Sequence, residues 1–287
     1  MRPGWMLFAA LAMSGQGAAQ TTESEDKSDI VVQGTRIGDR QIDEFIGALA
    51  DTPPGGQLSR FEWAVCPAAV GLAERHNRAI AERMRKVAAA AGIPLAGRNC
   101  RPNALVIVAR DKQEFIAALH SKYPAYFVNA SGRPARPPRQ PGAVTAWHVE
   151  GLLDSNGLQP KMNLVPKYLI VEANDSSRLN PASRPHFAAG IVVVELKALA
   201  GLTATQLADY AAMRIFARTD PARLGKTSAP TILSALDAPM GSAVPITLTA
   251  WDLGFLKAMY SSRENRFATQ QRGEMKRILS DELKRPR

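Results

Sequence analysis

The sequence predicts an α+β protein, a mixed sheet with helices packed against it, with residues 30–262 as a single domain. Short apolar runs at 103–109, 167–173 and 188–199 have the length and β-branched content of strands. The stretches 71–91 and 203–216, and the segment that follows Thr249, carry helical spacing or helix-start signals. A strand-then-helix step recurs along a chain of 287 residues whose composition, 46% apolar and 22% charged, is that of a globular protein.

The N-terminus, MRPGWMLFAALAMSGQGAAQ, reads as a signal peptide of residues 1–19. Arg2 supplies the positive region, Trp5–Met13 the apolar region, and Gly17, Ala18 and Ala19 the small residues of a cleavage site. The apolar run is far shorter than the roughly 20 residues that span a bilayer. No later segment is long and apolar enough to serve as a transmembrane span once the signal is cleaved. A periplasmic or secreted protein is therefore expected.

The two cysteines, Cys66 and Cys100, suit that compartment as a structural disulfide. Their bridge would close about 35 residues and stabilise the fold by roughly 4 kcal/mol. A reactive or metal-binding pair is the weaker reading, because neither a CxxC spacing nor a nearby histidine accompanies them. The net charge of +10 falls to +9 without Arg2. In an exported protein that basicity points to an anionic envelope surface rather than to nucleic acid, or simply to an arginine-rich composition.

Residues 20–29, QTTESEDKSD, form a polar linker expected to be disordered. Ile30–Val32 is a strand candidate. The text DIVVQGTRI also resembles the TonB-box region of outer-membrane receptors, which would imply strand donation to a transport partner. An ordinary first strand is preferred. Ile42, Phe45, Ile46 and Leu49 keep helical spacing up to the breaker DTPPGGQ. In 71–91 the stripe is Leu72, Ile80, Met84, Val87 and Ala91, with His76 along it. Strand 103–109 then leads into the helix RDKQEFIAALHSKY. The stretch 130–142, rich in proline and arginine, is an extended loop where two subdomains could divide. Strands follow at AVTAWHVEGLL, KYLIVEA and AAGIVVVELKAL, the last apolar enough to be central.

Thr203 and Gln206 have capping-box spacing, with Leu202 and Leu207 placed as a hydrophobic staple. The helix they start is apolar or small nearly all round, so it should be buried. Asp209 and Tyr210 are its polar residues before Arg214, and they are the candidate cleft residues. Structural hydrogen bonding is the simpler role for both. Thr249 and Asp252 repeat the capping box ahead of an apolar face of Phe255, Leu256, Met259 and Tyr260. The tail 263–287 is a basic helix in which Arg263, Arg266, Arg272 and Lys276 and their neighbours outnumber the acids. Its short stripe of Met275, Ile278, Leu279 and Leu283 predicts a peripheral position, lightly packed or at a membrane surface.

The segment LADYAAM, followed by TILSAL and LTAWDLGFLKAMY, resembles metzincin-type zincins over about residues 187–262. Those proteins follow the active helix with a tight turn and then a capped helix. The resemblance implies a degenerate zincin-like fold. A zincin also needs two histidines one turn apart with a glutamate beside them. Residues 203–216 contain neither, and His76, His120, His148 and His186 share no helical turn. No metal, cofactor or catalytic residue is expected. The motifs RFE, VCPAAVGL, CRPN and LADYAAM are also similar to a group of uncharacterised exported alphaproteobacterial proteins, a resemblance that brings no activity with it. The reading that follows is an exported, non-catalytic zincin-like protein that binds a polypeptide or an anionic envelope component. A metal-independent envelope enzyme and an accessory of TonB-type transport are the alternatives.

Overall fold

The apolar run Ile191–Val194 is the middle of a long central strand, Ser183–Glu195, in the computed structural model, which describes residues 38–50, 56–164, 167–171, 177, 180–236, 238 and 242–285. The stretches read as a signal peptide and a polar linker, the Ile30–Val32 strand candidate and the TonB-box-like text all lie outside the described residues.

In chain order, helix α1 is Asp39–Leu49, strand β1 Pro67–Val70, α2 Glu74–Ala90, β2 Ala104–Ala109 and α3 Lys112–Lys122. Then come β3 Val144–Asp154, β4 Lys161–Leu164, β5 Lys167–Ile170 and β6 Ser183–Glu195. Helices α4 Ala204–Phe216, α5 Ala250–Ser261 and α6 Ala268–Lys284 complete the chain. The fold is α+β. A four-stranded mixed sheet has the order β1-β2-β6-β3, and β4 and β5 form a separate antiparallel pair. β1, β2 and β6 are mutually parallel, while β3 runs antiparallel to β6 and forms an edge.

Both faces of the central strands are covered, which is why their sequences are almost continuously apolar. On one face Val106, Val192 and Val194 join the main core with α2 and α4. On the other, Ile107, Ile191 and Val193 meet Ile116 of α3 and Phe127. α4 is buried from Gln206 to Phe216, and Thr203 caps it through both bonds of the expected capping box. Gly190 of β6 lets that helix come close, since a Cβ there would stand 2.8 Å from Cγ2 of Ile215. The short turn Ile232–Ser234 packs against α4, and Asp252 closes the second capping box at the start of α5.

Three sequence expectations need correction. β1 was not foreseen, because Pro67–Val70 is too short to show a period and exists by pairing with β2. His76 is exposed in the first turn of α2, ahead of the point where the buried stripe begins at Ile80. The C-terminal helix is not peripheral. Met275 and Leu279 are fully buried against α5 and α1, and the Gln271 carboxamide accepts a hydrogen bond from Leu58 N at 2.8 Å. Of its basic residues Arg277 and Lys284 are exposed, while Arg272 donates to the Ala50 carbonyl at 3.1 Å and Lys276 pairs with Asp43 of α1 at 2.9 Å.

Candidate functional site

Asp209 and Tyr210 are neighbours on α4 but face different surroundings. Asp209 is fully buried. Its carboxylate accepts from Arg83 Nε at 2.7 Å and Arg83 Nη2 at 2.9 Å, with α2 supplying the arginine. The Thr247 hydroxyl and Leu248 N also donate to it, each at 2.7 Å. Four donors saturate the carboxylate, so Asp209 clamps α2, α4 and the approach to α5 together. It is a core anchor and not a cleft residue.

Tyr210 lies where α4 meets β3, lining a cleft of about 420 Å³ together with His148, Arg214 and Gln140. Arg214, one helical turn on, donates from Nη1 to the Tyr210 hydroxyl at 2.9 Å and from Nη2 to Oε1 of Gln140 at 3.1 Å. The cleft is completed by Arg218, Thr219 and Asp220, which follow the helix. Arg218 is ion-paired with Glu150 of β3. His148 Nε2 is 2.9 Å from the Ile215 carbonyl, which makes Nε2 the protonated nitrogen of a neutral ring. The ring stacks on Phe187 with centroids 3.9 Å apart. Burial lowers its pKa to about 4, outweighing the opposing pull of the Ile215 carbonyl, so His148 is uncharged near neutrality.

The outer edge of β3 borders this cleft. Ala143 and Glu195 are hydrogen-bonded across the β3–β6 pair, so the alternation of the ladder turns the backbone of Val144, Ala146 and His148 outward. Lys112 Nζ takes the Val144 carbonyl at 3.2 Å. The Gln140 side chain takes both groups of Ala146, donating to its carbonyl at 2.8 Å and accepting from its N–H at 3.0 Å. A single carboxamide thus imitates one residue of a missing neighbouring strand.

A second cavity, of about 980 Å³, opens on the other face of the sheet beside α3. Leu105, Ile107 and Ile191 form its apolar floor, and Tyr123, Tyr126, Arg101 and Lys122 stand around it. α3 is too short to cover that face completely.

Cys66 and Cys100 form the disulfide, with Cα atoms 6.0 Å apart. Of the histidines, His120 packs edge-on to Phe127, and His148 and His186 sit on adjacent strands. Among the described residues no three His, Cys, Asp or Glu side chains converge as metal ligands would. Sequence reasoning missed that His148, Gln140 and Arg214 line one cleft with Tyr210. One signal was legible: Arg214 is a charge placed four residues after Tyr210 on a helix otherwise built for burial. No protein-family model, curated protein or solved structure matches the chain.

Proposed function

We propose that this is an exported, non-catalytic zincin-like protein whose cleft between β3 and α4 binds a polypeptide segment in extended form. One observation carries the reading. An antiparallel edge strand lies beside a buried helix, and the outward amide and carbonyl of its Ala146 are met by a side chain and not by a strand. Such an edge accepts an added strand through backbone bonds, while side-chain pockets supply selectivity. The zincin-like part is supported by the order of elements: central strand β6, buried helix α4, the turn Ile232–Ser234 against it, then capped α5. The disulfide supports export. His148 gives its Nε2 proton to a backbone carbonyl and stacks on Phe187, which favours a positioning role over an acid–base one.

The test uses Ala146→Pro. The substitution removes an outward N–H and leaves the ladder to β6 untouched, a position where an edge strand tolerates proline. Short binding peptides are first selected from a displayed random library on the unmodified protein. The variant should stay folded and lose those peptides, and EDTA should leave wild-type binding unchanged. Binding that survives the proline, or that needs zinc, would refute the proposal.

A second reading has its own observation. The larger groove, apolar inside with Arg101 and Lys122 beside it, suits an anionic amphiphile of the envelope. Competition by such an amphiphile for the selected peptides would merge the two sites. Independent binding would separate them.

A further inference from the structure

Arg214 presents an electrostatic problem that the fold answers only in part, through the Tyr210 ring whose centroid lies 5.8 Å from its Cζ. Its side chain lines the cleft although only 6% of the residue is exposed. Among the described residues no carboxylate lies within ion-pair distance of it. Nη1 and Nη2 each donate to a neutral oxygen, of Tyr210 and Gln140, and Nε is buried with no hydrogen-bond partner among the described residues. A buried guanidinium without a counter-charge is costly, and structures normally answer it with an anion. The neighbouring acids are committed elsewhere. Glu150 pairs with Arg218, and Asp220 accepts from Ala222 N at 3.1 Å in capping the turn that follows. His148 beside it is neutral, so it neither adds like charge nor competes for an anion.

We propose that Arg214 is the carboxylate-recognition residue of the cleft, and that a ligand carboxylate takes the place of the Gln140 oxygen on its guanidinium. The inference rests on the peptide-binding reading for the identity of the ligand, but the carboxylate site stands on the geometry of Arg214 alone. Gln140 Oε1 accepts from both Arg214 Nη2 and Ala146 N, so the same oxygen marks where a ligand acceptor would reach guanidinium and edge strand together. A planar fork of donors beside an open strand edge matches the end of a peptide or an acidic side chain within it. Gln140 then acts as a placeholder: its carboxamide satisfies both groups in the free protein and swings away when the anion arrives.

The test starts with N-acetylalanine and its amide as small ligands, followed by calorimetry and by the Nε–Hε resonance of Arg214 in wild-type protein. The acid should bind saturably and shift that resonance. The amide should bind roughly 10- to 100-fold more weakly, the factor a charge-assisted hydrogen bond supplies. Arg214→Gln should lose binding of the acid by a similar factor, and Gln140→Ala should strengthen it. If Arg214→Gln does not fold, the wild-type resonance decides. An acid that neither binds nor moves it overturns the proposal, as does equal binding of acid and amide. Peptides then identify the source of the carboxylate. One set has a free C-terminus and no acidic residue, and the other is amidated with a single Asp or Glu. Peptides that bind equally well with no carboxylate would overturn the inference and leave strand addition standing. Binding of N-acetylalanine without any peptide binding would do the reverse.

Discussion

Arg83 and Asp209 form a two-pronged ion pair, Nε to Oδ1 at 2.7 Å and Nη2 to Oδ2 at 2.9 Å, across 126 residues of sequence. The aspartate is fully buried and the arginine side chain is 10% exposed. Removing Asp209 takes the counter-charge from a largely buried guanidinium, although Arg83 still donates to the Thr247 hydroxyl at 2.8 Å. Asp209→Ala should therefore cost about 3–5 kcal/mol in urea unfolding. The double variant Arg83→Met, Asp209→Leu should recover a large part of that loss. A single-variant loss below about 1 kcal/mol, the range of an exposed ion pair, would mean that solvent reaches the pair.

The disulfide joins the approaches to β1 and β2, with Cys66 and Cys100 separated by 34 positions. Reduction should lower the unfolding free energy by roughly 4 kcal/mol, since the freed loop restores entropy to the unfolded chain. Thiol labelling of non-reduced protein should find no free cysteine. Two reactive thiols in folded protein would contradict the pairing.

The C-terminal helix should prove indispensable. Arg60 of the body donates to the carbonyls of Met259 at 2.6 Å and Ser262 at 2.9 Å, and pairs with Glu264 at 2.9 Å, which fixes the turn into α6. Met275→Ala should cost about 2–5 kcal/mol, the range for a truncated core side chain. Truncation after Ser262 should abolish cooperative unfolding seen by circular dichroism. A truncated chain as stable as the full one would return α6 to the periphery.

Acid should weaken the fold through His148. Its folded-state pKa, about 4, lies below the ordinary value of 6.5. The unfolded chain therefore takes up the proton first as pH falls. The stabilisation is complete above about pH 6.5 and is lost as pH drops through about 4. With the ring half-buried and partly solvated, a loss of about 1–3 kcal/mol is expected. His186, whose pKa burial also lowers, adds in the same direction. Urea midpoints of wild type and His148→Gln at pH 7 and 4.5 check this. The variant should show the smaller drop between the two.

What was legible in the sequence was local. Both capping boxes, at Thr203 and Thr249, depend on residues three apart, and the burial of α4 follows from its composition. The central position of β6 follows from its run of β-branched residues. What was hidden depends on contacts between distant segments. β1 exists through pairing with β2, and the role of Asp209 is set by Arg83 on another helix. Gln140 looked like one more polar residue of a proline-rich loop. Its bonds to Ala146 and Arg214 emerge only when that loop is folded against β3. The apolar stripe of α6 is short on paper, and the sequence does not reveal that α1 and α5 both close over it.

The most direct measurement of the central claim is an NMR titration of ¹⁵N-labelled protein with pooled random-sequence octapeptides, following backbone amides. The outward-facing amides of Ala146 and His148 should shift first and most, together with the Nε–Hε resonance of Arg214. Amides on the opposite face, near Ile107 and Ile191, should stay still. An absence of shifts up to millimolar peptide, or shifts confined to that opposite face, would contradict the account.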